Sequence, residues 1–299
     1  MKRPPMLRSR LPLLAVLGAL VLAGCGDRVD PRVAEGYDLV VEGKVDEAIA
    51  LANALLADDP EHKEARNLIG MALYKAGDAE GSVQQYQQAI DIDHTYPEAH
   101  FNLGNSYQVL GRIPEAEAEF LVAIEQQPKF VLAHYNLGVI YQRTGRDDQA
   151  LAQFRRCVDY DPQFYPGFVG LGDILYKTGD FENAIANLER ALELSPSQKQ
   201  LRVVLGNALL QSGRPDAAKS AESEFRAAVG IDSTYVDGVY NLGVALAAQE
   251  RTQEAAEQFR LARDLASGNP EKEGLVSQVE RFLESLEAEG ESAEEPSAG

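Results

Sequence analysis

The sequence predicts an all-α chain of about seven tandem helix–turn–helix units followed by a C-terminal capping helix. Three observations carry this expectation. Glycines recur at Gly36, Gly70, Gly104, Gly138, Gly172 and Gly206, each 34 residues after the last, and a second series at the same interval runs Gly43, Gly77, Gly111, Gly145, Gly179 and Gly213. Glycine fills only 25 of the 299 positions, so two such runs do not arise by chance. A fixed period of this length is the mark of a repeat architecture, in which each unit is one supersecondary element. Finally, Trp is absent, Ala and Leu are frequent, and 45% of residues are apolar, which suits helices that bury a core.

Taken in order, residues 1–24 read as a secretory signal. A basic segment with Lys2, Arg3, Arg8 and Arg10 precedes an apolar run from Leu11 to Leu22. That run is too short to cross a bilayer as a helix and fits a signal core. Leu22-Ala23-Gly24-Cys25 then resembles the lipobox of bacterial lipoproteins. The resemblance implies that Cys25 is acylated and becomes the mature N-terminus, with residues 25–31 as a lipidated start and short linker. Each buried acyl methylene adds roughly 0.8 kcal/mol to membrane binding. Residue 26 is Gly where an Asp signals inner-membrane retention in enterobacterial lipoproteins. The implied location is therefore a lipid anchor in the cell envelope, facing the periplasm, with the outer membrane favoured over the inner.

The repeats fall at about 29–62, 63–96, 97–130, 131–164, 165–198, 199–235 and 236–269. Their columns keep step: Ala48, Ser82, Ala116, Ala150 and Ala184; Tyr86, Phe120, Phe154 and Leu188; Pro60, Pro128, Pro162 and Pro196. In the third unit the pattern predicts a first helix over roughly Glu98–Leu110 and a second over Pro114–Gln127. Leu103, Gly104 and Tyr107 share one face of the first helix because residues three and four apart are neighbours. Gly104 and Ala116 are small enough for the paired helices to approach closely, while Phe120 fills the space between units. Gly111 suits the left-handed residue that ends a helix, and Pro114 suits the first turn of the next.

The outer units depart from the pattern. Three residues are inserted around Ala217–Ala221, Glu250 replaces the second glycine of the seventh unit, and Ala52 replaces the aromatic of the first. Pro270 precedes a capping helix over residues 270–287, whose apolar face is Leu275, Val279, Phe282, Leu283 and Leu286. Residues 288–299, with four glutamates and no basic residue, are expected to be disordered.

These columns resemble the tetratricopeptide repeat over roughly residues 29–269, with His100, His134 and Phe168 where the family places Trp. The resemblance implies a right-handed α-α superhelix whose concave face is lined by the first helix of each unit. Candidate residues for a partner in that groove are Phe101, Asn102, Asn105, Tyr135, Asn136, Tyr240 and Asn241. Asn102, Asn136 and Asn241 form a column that Leu68, Gly170 and Val204 interrupt. Such a column is similar to the asparagine ladder that holds a peptide backbone in some members of the family. It is equally a repeat consensus exposed to solvent. The carboxylate clamp of chaperone-binding members needs Lys and Arg in the groove, where this chain has Phe101, Asn105, Asn136, Pro166 and Gly170.

Charge and chemistry narrow the functional classes. The formal net charge is −19, and loss of residues 1–24, which carry four basic residues and no acid, makes it more negative. Such a surface repels phosphate backbones, which argues against nucleic acid as a partner. Cys157 occupies a column otherwise filled by Ala89, Ala123, Ala191, Ala228 and Ala262, the place of a small buried residue and not of a nucleophile. His62, His94, His100 and His134 have no metal-ligand spacing. No catalytic residues, cofactor, metal or small-molecule substrate are expected. What the resemblance implies is a protein-interaction scaffold for a protein or extended peptide, tethered to a membrane through Cys25. More specific readings of the same layout are an assembly lipoprotein for a type IV pilus or secretin, and an adaptor regulating a peptidoglycan enzyme.

Overall fold

The computed structural model describes residues 30–294, with side chains to residue 284. The lipobox and Cys25 lie outside the described residues, as do residues 295–299 of the acidic tail. All regular structure among the described residues is helical.

Fourteen helices form seven antiparallel pairs. They are α1 and α2 (Pro31–Glu42, Val45–Asp58), α3 and α4 (Lys63–Ala76, Ala79–Ile92), α5 and α6 (Pro97–Val109, Ile113–Gln126), and α7 and α8 (Val131–Arg143, Asp147–Tyr160). Then follow α9 and α10 (Tyr165–Thr178, Phe181–Leu194), α11 and α12 (Lys199–Gln211, Ala217–Ile231), and α13 and α14 (Val236–Ala247, Thr252–Ala266). A 3₁₀ turn at Pro270–Lys272 leads into α15 (Glu273–Glu294). The helices gather into two compact units, one holding α1–α8 and ending at Asp161, the other beginning at Pro162 and holding α9–α15.

The two glycine series do different work. In the first, the glycine makes room for the large side chain of its partner helix. A Cβ on Gly104 would lie 2.7 Å from Cε1 of Phe120, and one on Gly138 would lie 2.7 Å from Cε1 of Phe154. Tyr86, Phe120, Phe154, Phe225 and Phe259 are accordingly among the largest fully buried side chains. In the sixth pair the inserted residues move this partner to Phe225, so the Gly206 contact survives with a longer intervening segment. The insertion lengthens both the turn, which spans residues 212–216, and α12, at 15 residues. The first pair has Ala52 in the aromatic column, and Leu68 of the second pair covers Gly36 instead.

The second series turns the chain between paired helices. Gly111 has φ 74°, a left-handed conformation that glycine adopts without a Cβ clash. Glu250 stands at the equivalent position of the last pair and takes φ 60°, the one non-glycine residue with positive φ among those described. That conformation costs roughly 1–2 kcal/mol for a residue with a Cβ.

Each unit holds a cluster of packed apolar side chains, spanning α1–α5 in the first and α9–α15 in the second. In the first, Val33, Leu55, Leu68, Ala72, Tyr86 and Leu103 belong to it; in the second, Ile185, Leu188, Leu205, Phe225, Leu246 and Phe259. α15 lies on α14, burying Val279 and Leu283. Phe282 sets its ring 4.6 Å from that of Phe259. The same helix continues to Glu294, which corrects the expectation that disorder begins at residue 288. Ala and Glu are strong helix formers, and a helix already anchored by packing extends at little cost through them.

Candidate partner-binding face

Within each unit, successive first helices touch directly: α1 with α3 and α3 with α5, then α9 with α11 and α11 with α13. Among the described residues no two second helices make a comparable contact. The first helices therefore line the inner side of each stack, and this face is the candidate surface for a partner.

Of the residues singled out from the sequence, Phe101, Asn102, Asn105, Tyr135 and Asn136 fall in the first unit and Tyr240 and Asn241 in the second. Phe101 is only 8% exposed; its ring packs 5.8 Å from Phe120 and 4.9 Å from Phe130. It is a core residue. Tyr135 is half-buried with its ring 5.9 Å from Phe154. Tyr240 packs 5.6 Å from Phe259, and its hydroxyl accepts a 2.5 Å hydrogen bond from Nε2 of Gln278 on α15. The capping helix thus holds Tyr240.

The asparagines face one another across repeats. Asn102 Nδ2 donates to Asn67 Oδ1 at 3.0 Å, and Asn67 Nδ2 donates to the Tyr37 hydroxyl at 3.2 Å. Asn136 Nδ2 donates to Asn105 Oδ1 at 2.6 Å. Asn67, Asn102, Asn105 and Asn136 are all buried. An amide removed from water needs a partner, and here the neighbouring first helix supplies it. These side chains stitch adjacent repeats together, which differs from both a solvent-exposed consensus and an open ladder for a peptide backbone. Asn241 instead donates to the carbonyl of Asp237 in its own helix, at 2.7 Å.

The histidines in the Trp column are buried and tie helices together. His100 Nδ1 lies 2.7 Å from Glu119 Oε2, and His134 Nδ1 lies 2.7 Å from Gln153 Oε1. Arg202 plays the same part in the sixth pair through Glu224 at 2.8 Å. Cys157 is fully buried, and burial pushes its thiol up to about 12. Among the described residues no cluster of His, Cys, Asp or Glu is placed to hold a metal ion.

Two features of the second unit were not read from the sequence. The first is Glu222, buried on the lengthened α12. Burial raises its carboxyl, but hydrogen bonds from Gln249 and Arg251 and the charge of Arg226 outweigh this and hold it below its usual value. With Lys219 and Ser223 these residues line a polar cleft of about 360 Å³, whose arginines are already paired to Glu222. The second is Asp173 on α9, which is partly buried and accepts no hydrogen bond or ion pair among the described residues. Burial pushes its carboxyl up to about 7, with no charged neighbour contributing. A comparison of columns would have exposed it. Asn105, one residue after Gly104, accepts from Asn136; Asp173, one residue after Gly172, has Val204 in the place of Asn136. Valine has no donor to offer.

What stays accessible on the inner face is therefore different from the residues expected to carry it. In the first unit it includes Gln108, Val109, Val139, Gln142 and Arg143, with Val109 61% exposed. In the second it includes Asp173, Val204, Asn207, Leu210 and Val244, all partly buried. These are mixed apolar and amide-bearing surfaces without a catalytic arrangement.

Stacked helix pairs that leave one face of their first helices open define a helical-repeat protein. A family model for the tetratricopeptide repeat matches residues 101–163, 169–236 and 219–270, and a second TPR model matches 70–111. The matches cover more than half of the chain, which belongs to the tetratricopeptide-repeat family. That fold serves protein–protein and peptide interaction, and its members are generally scaffolds without enzymatic activity.

Solved structures agree on the fold. The chain is 24% identical to YrrB, a TPR protein with an unusual peptide-binding site, with a TM-score of 0.56 over 62% of this chain and 95% of that one. The C-terminal part of a TPR repeat-containing protein from Cytophaga hutchinsonii gives 0.63 at 14% identity, covering 80% and 97% of the two chains. The APC/C hetero-tetramer Cut9–Hcn1 also gives 0.63, at 13% identity, covering 84% of this chain and 49% of that one. None of the curated proteins matches this chain.

Proposed function

We propose that the protein is a membrane-anchored scaffold that holds a protein or extended peptide along the inner faces of its repeats. The observation that carries this is the open row of first helices, whose accessible residues pair apolar side chains with free amides. Such a surface suits an extended segment: amides donate to and accept from its backbone while apolar patches take alternate side chains. That YrrB is a TPR protein with a peptide-binding site supports the same reading. Anchoring rests on the lipobox-like Leu22-Ala23-Gly24-Cys25, and a periplasm-facing position on the outer membrane on Gly26. Among the described residues no helix is long and apolar enough to cross a membrane. Within it, the partner is a cell-envelope assembly such as a pilus or secretin, or a peptidoglycan enzyme that the scaffold regulates.

Two experiments test the two halves. Cys25→Ala should move the protein from the membrane to the soluble fraction; continued sedimentation with membranes removes the anchor. Cross-linking in intact cells, followed by capture and mass spectrometry, should recover one dominant envelope partner that is lost when Val109 and Val139 are replaced by Arg. Phe101 is unsuited to this test because it belongs to the core. Partners unaffected by those replacements would place the working surface elsewhere.

A further inference from the structure

We propose that Asp173 is the anchor for a cationic side chain, Lys or Arg, of a peptide lying on the inner face of the second unit. The inference rests on the scaffold reading and deepens it by naming the partner's chemistry.

In the first unit the equivalent position is internally satisfied, since Asn105 accepts from Asn136 at 2.6 Å. In the second unit the acceptor has become a carboxylate and the donor has become Val204, so the stronger acceptor is left with nothing to accept from. A carboxylate held partly out of water without a donor is costly to the fold, and a cation brought to it offsets that cost.

The surroundings fit the rest of a long basic side chain. Val204 and Leu210 present half-buried apolar surface on α11, the first helix next to α9, along which a Lys or Arg stem can lie. Asn207, one repeat on in the same column as Asp173, has no side-chain hydrogen bond among the described residues, and its amide can meet peptide backbone. Asp237, the other acid in this face's columns, is already bonded by Lys272 at 2.6 Å, so Asp173 is the acceptor left open there. The chain's net charge of −19 favours a basic partner over an acidic one and speeds its approach.

The test is selection of an unbiased twelve-residue peptide library on the intact soluble chain, made as Cys25→Ser, with affinities of the selected peptides measured by fluorescence anisotropy. The expected peptides carry one recurrent Lys or Arg. Asp173→Asn should weaken them about tenfold or more, as expected for one half of a partly desolvated charge pair. Replacing the recurrent Arg by citrulline should weaken binding to the wild type equally and to Asp173→Asn hardly at all, the coupling that a direct contact requires. Circular dichroism of the variant separates this from a folding defect.

Two other outcomes overturn the proposal in distinguishable ways. Peptides blocked by Gln211→Trp, at an exposed position on the same face, but lacking a basic residue and indifferent to Asp173→Asn, would leave the binding face standing and remove its cationic anchor. Peptides indifferent to both replacements, or no enrichment at all, would remove the binding face of this unit and the anchor with it.

Discussion

The glycine under each buried ring makes a prediction whose sign depends on position alone. Replacing a helical Gly by Ala favours the helix by about 1 kcal/mol when nothing else changes. Gly104 lies on α5 against the second helix of its own repeat, and an added Cβ would meet Phe120 at 2.7 Å from Cε1 and 2.9 Å from Cδ1. Carbon atoms attract best at about 3.5–4.0 Å, so the ring or the helix must retreat by close to 1 Å. Phe120 is fully buried and has nowhere to swing, and overpacking of this kind costs about 1–3 kcal/mol. The net expectation for Gly104→Ala is a loss of up to about 2 kcal/mol. Gly230, near the end of α12, has nothing within 4 Å of its would-be Cβ. There the same substitution should stabilise by about 0.5–1 kcal/mol. Urea unfolding followed by helical circular dichroism compares the two, and hydrogen exchange in α5 and α6 locates the loss, since stacked repeats open locally. A Gly104→Ala protein at least as stable as the wild type would refute the idea that this glycine column makes room for the rings.

Three further expectations rest on single residues. Phe101→Ala empties a site bordered by Phe120 and Phe130 and should destabilise by about 3 kcal/mol, so a Phe101 variant that keeps wild-type stability in urea contradicts its place in the core. Asp173, with its carboxyl raised to about 7 against an ordinary 3.8, ionises later in the folded chain than in the unfolded one. Its contribution to stability is thus intact below about pH 4 and falls as pH rises toward 7. Asp173→Asn should be more stable than wild type at pH 8, by about 1–3 kcal/mol, and level with it at pH 4; the opposite trend would mean that the carboxylate is well solvated. Cys157, raised to about 12 by burial, should resist alkylation at pH 8 in the folded Cys25→Ser chain and react on unfolding, whereas rapid native labelling would place it at the surface.

How far the sequence speaks depends on whether a feature is set by period or by partner. The 34-residue spacing places the helices of the third pair at Glu98–Leu110 and Pro114–Gln127, against Pro97–Val109 and Ile113–Gln126 in the structure. Glycine and apolar spacing dictate these limits locally. Glu250 shows the same: its column predicts a left-handed residue, and it adopts one without being glycine. The asparagines were less legible because their role is decided across repeats. Periodicity places Asn102 and Asn136 on a first helix, but only the stacking of one helix on the next shows Asn67 and Asn105 waiting for their amides. Asp173 sits between these cases. Its column is visible in the sequence, yet its isolation follows only once the Asn105–Asn136 bond is known.

The pairing of helices also bears on how the chain reaches this form. Within each unit the principal contacts join helices that are adjacent or next but one in the sequence. Each pair can therefore close as soon as it and its neighbour have been made, with little loop entropy lost. For a polypeptide delivered N-terminus first, α1 to α4 have every one of their main partners before α6 exists. Assembly can then advance as a front behind the emerging chain. The closing of α14 is different, because its outer side is covered by α15 and not by another helix pair. Until that helix docks, Phe259 and its surroundings stay open, so the chain is exposed to wrong association at that face.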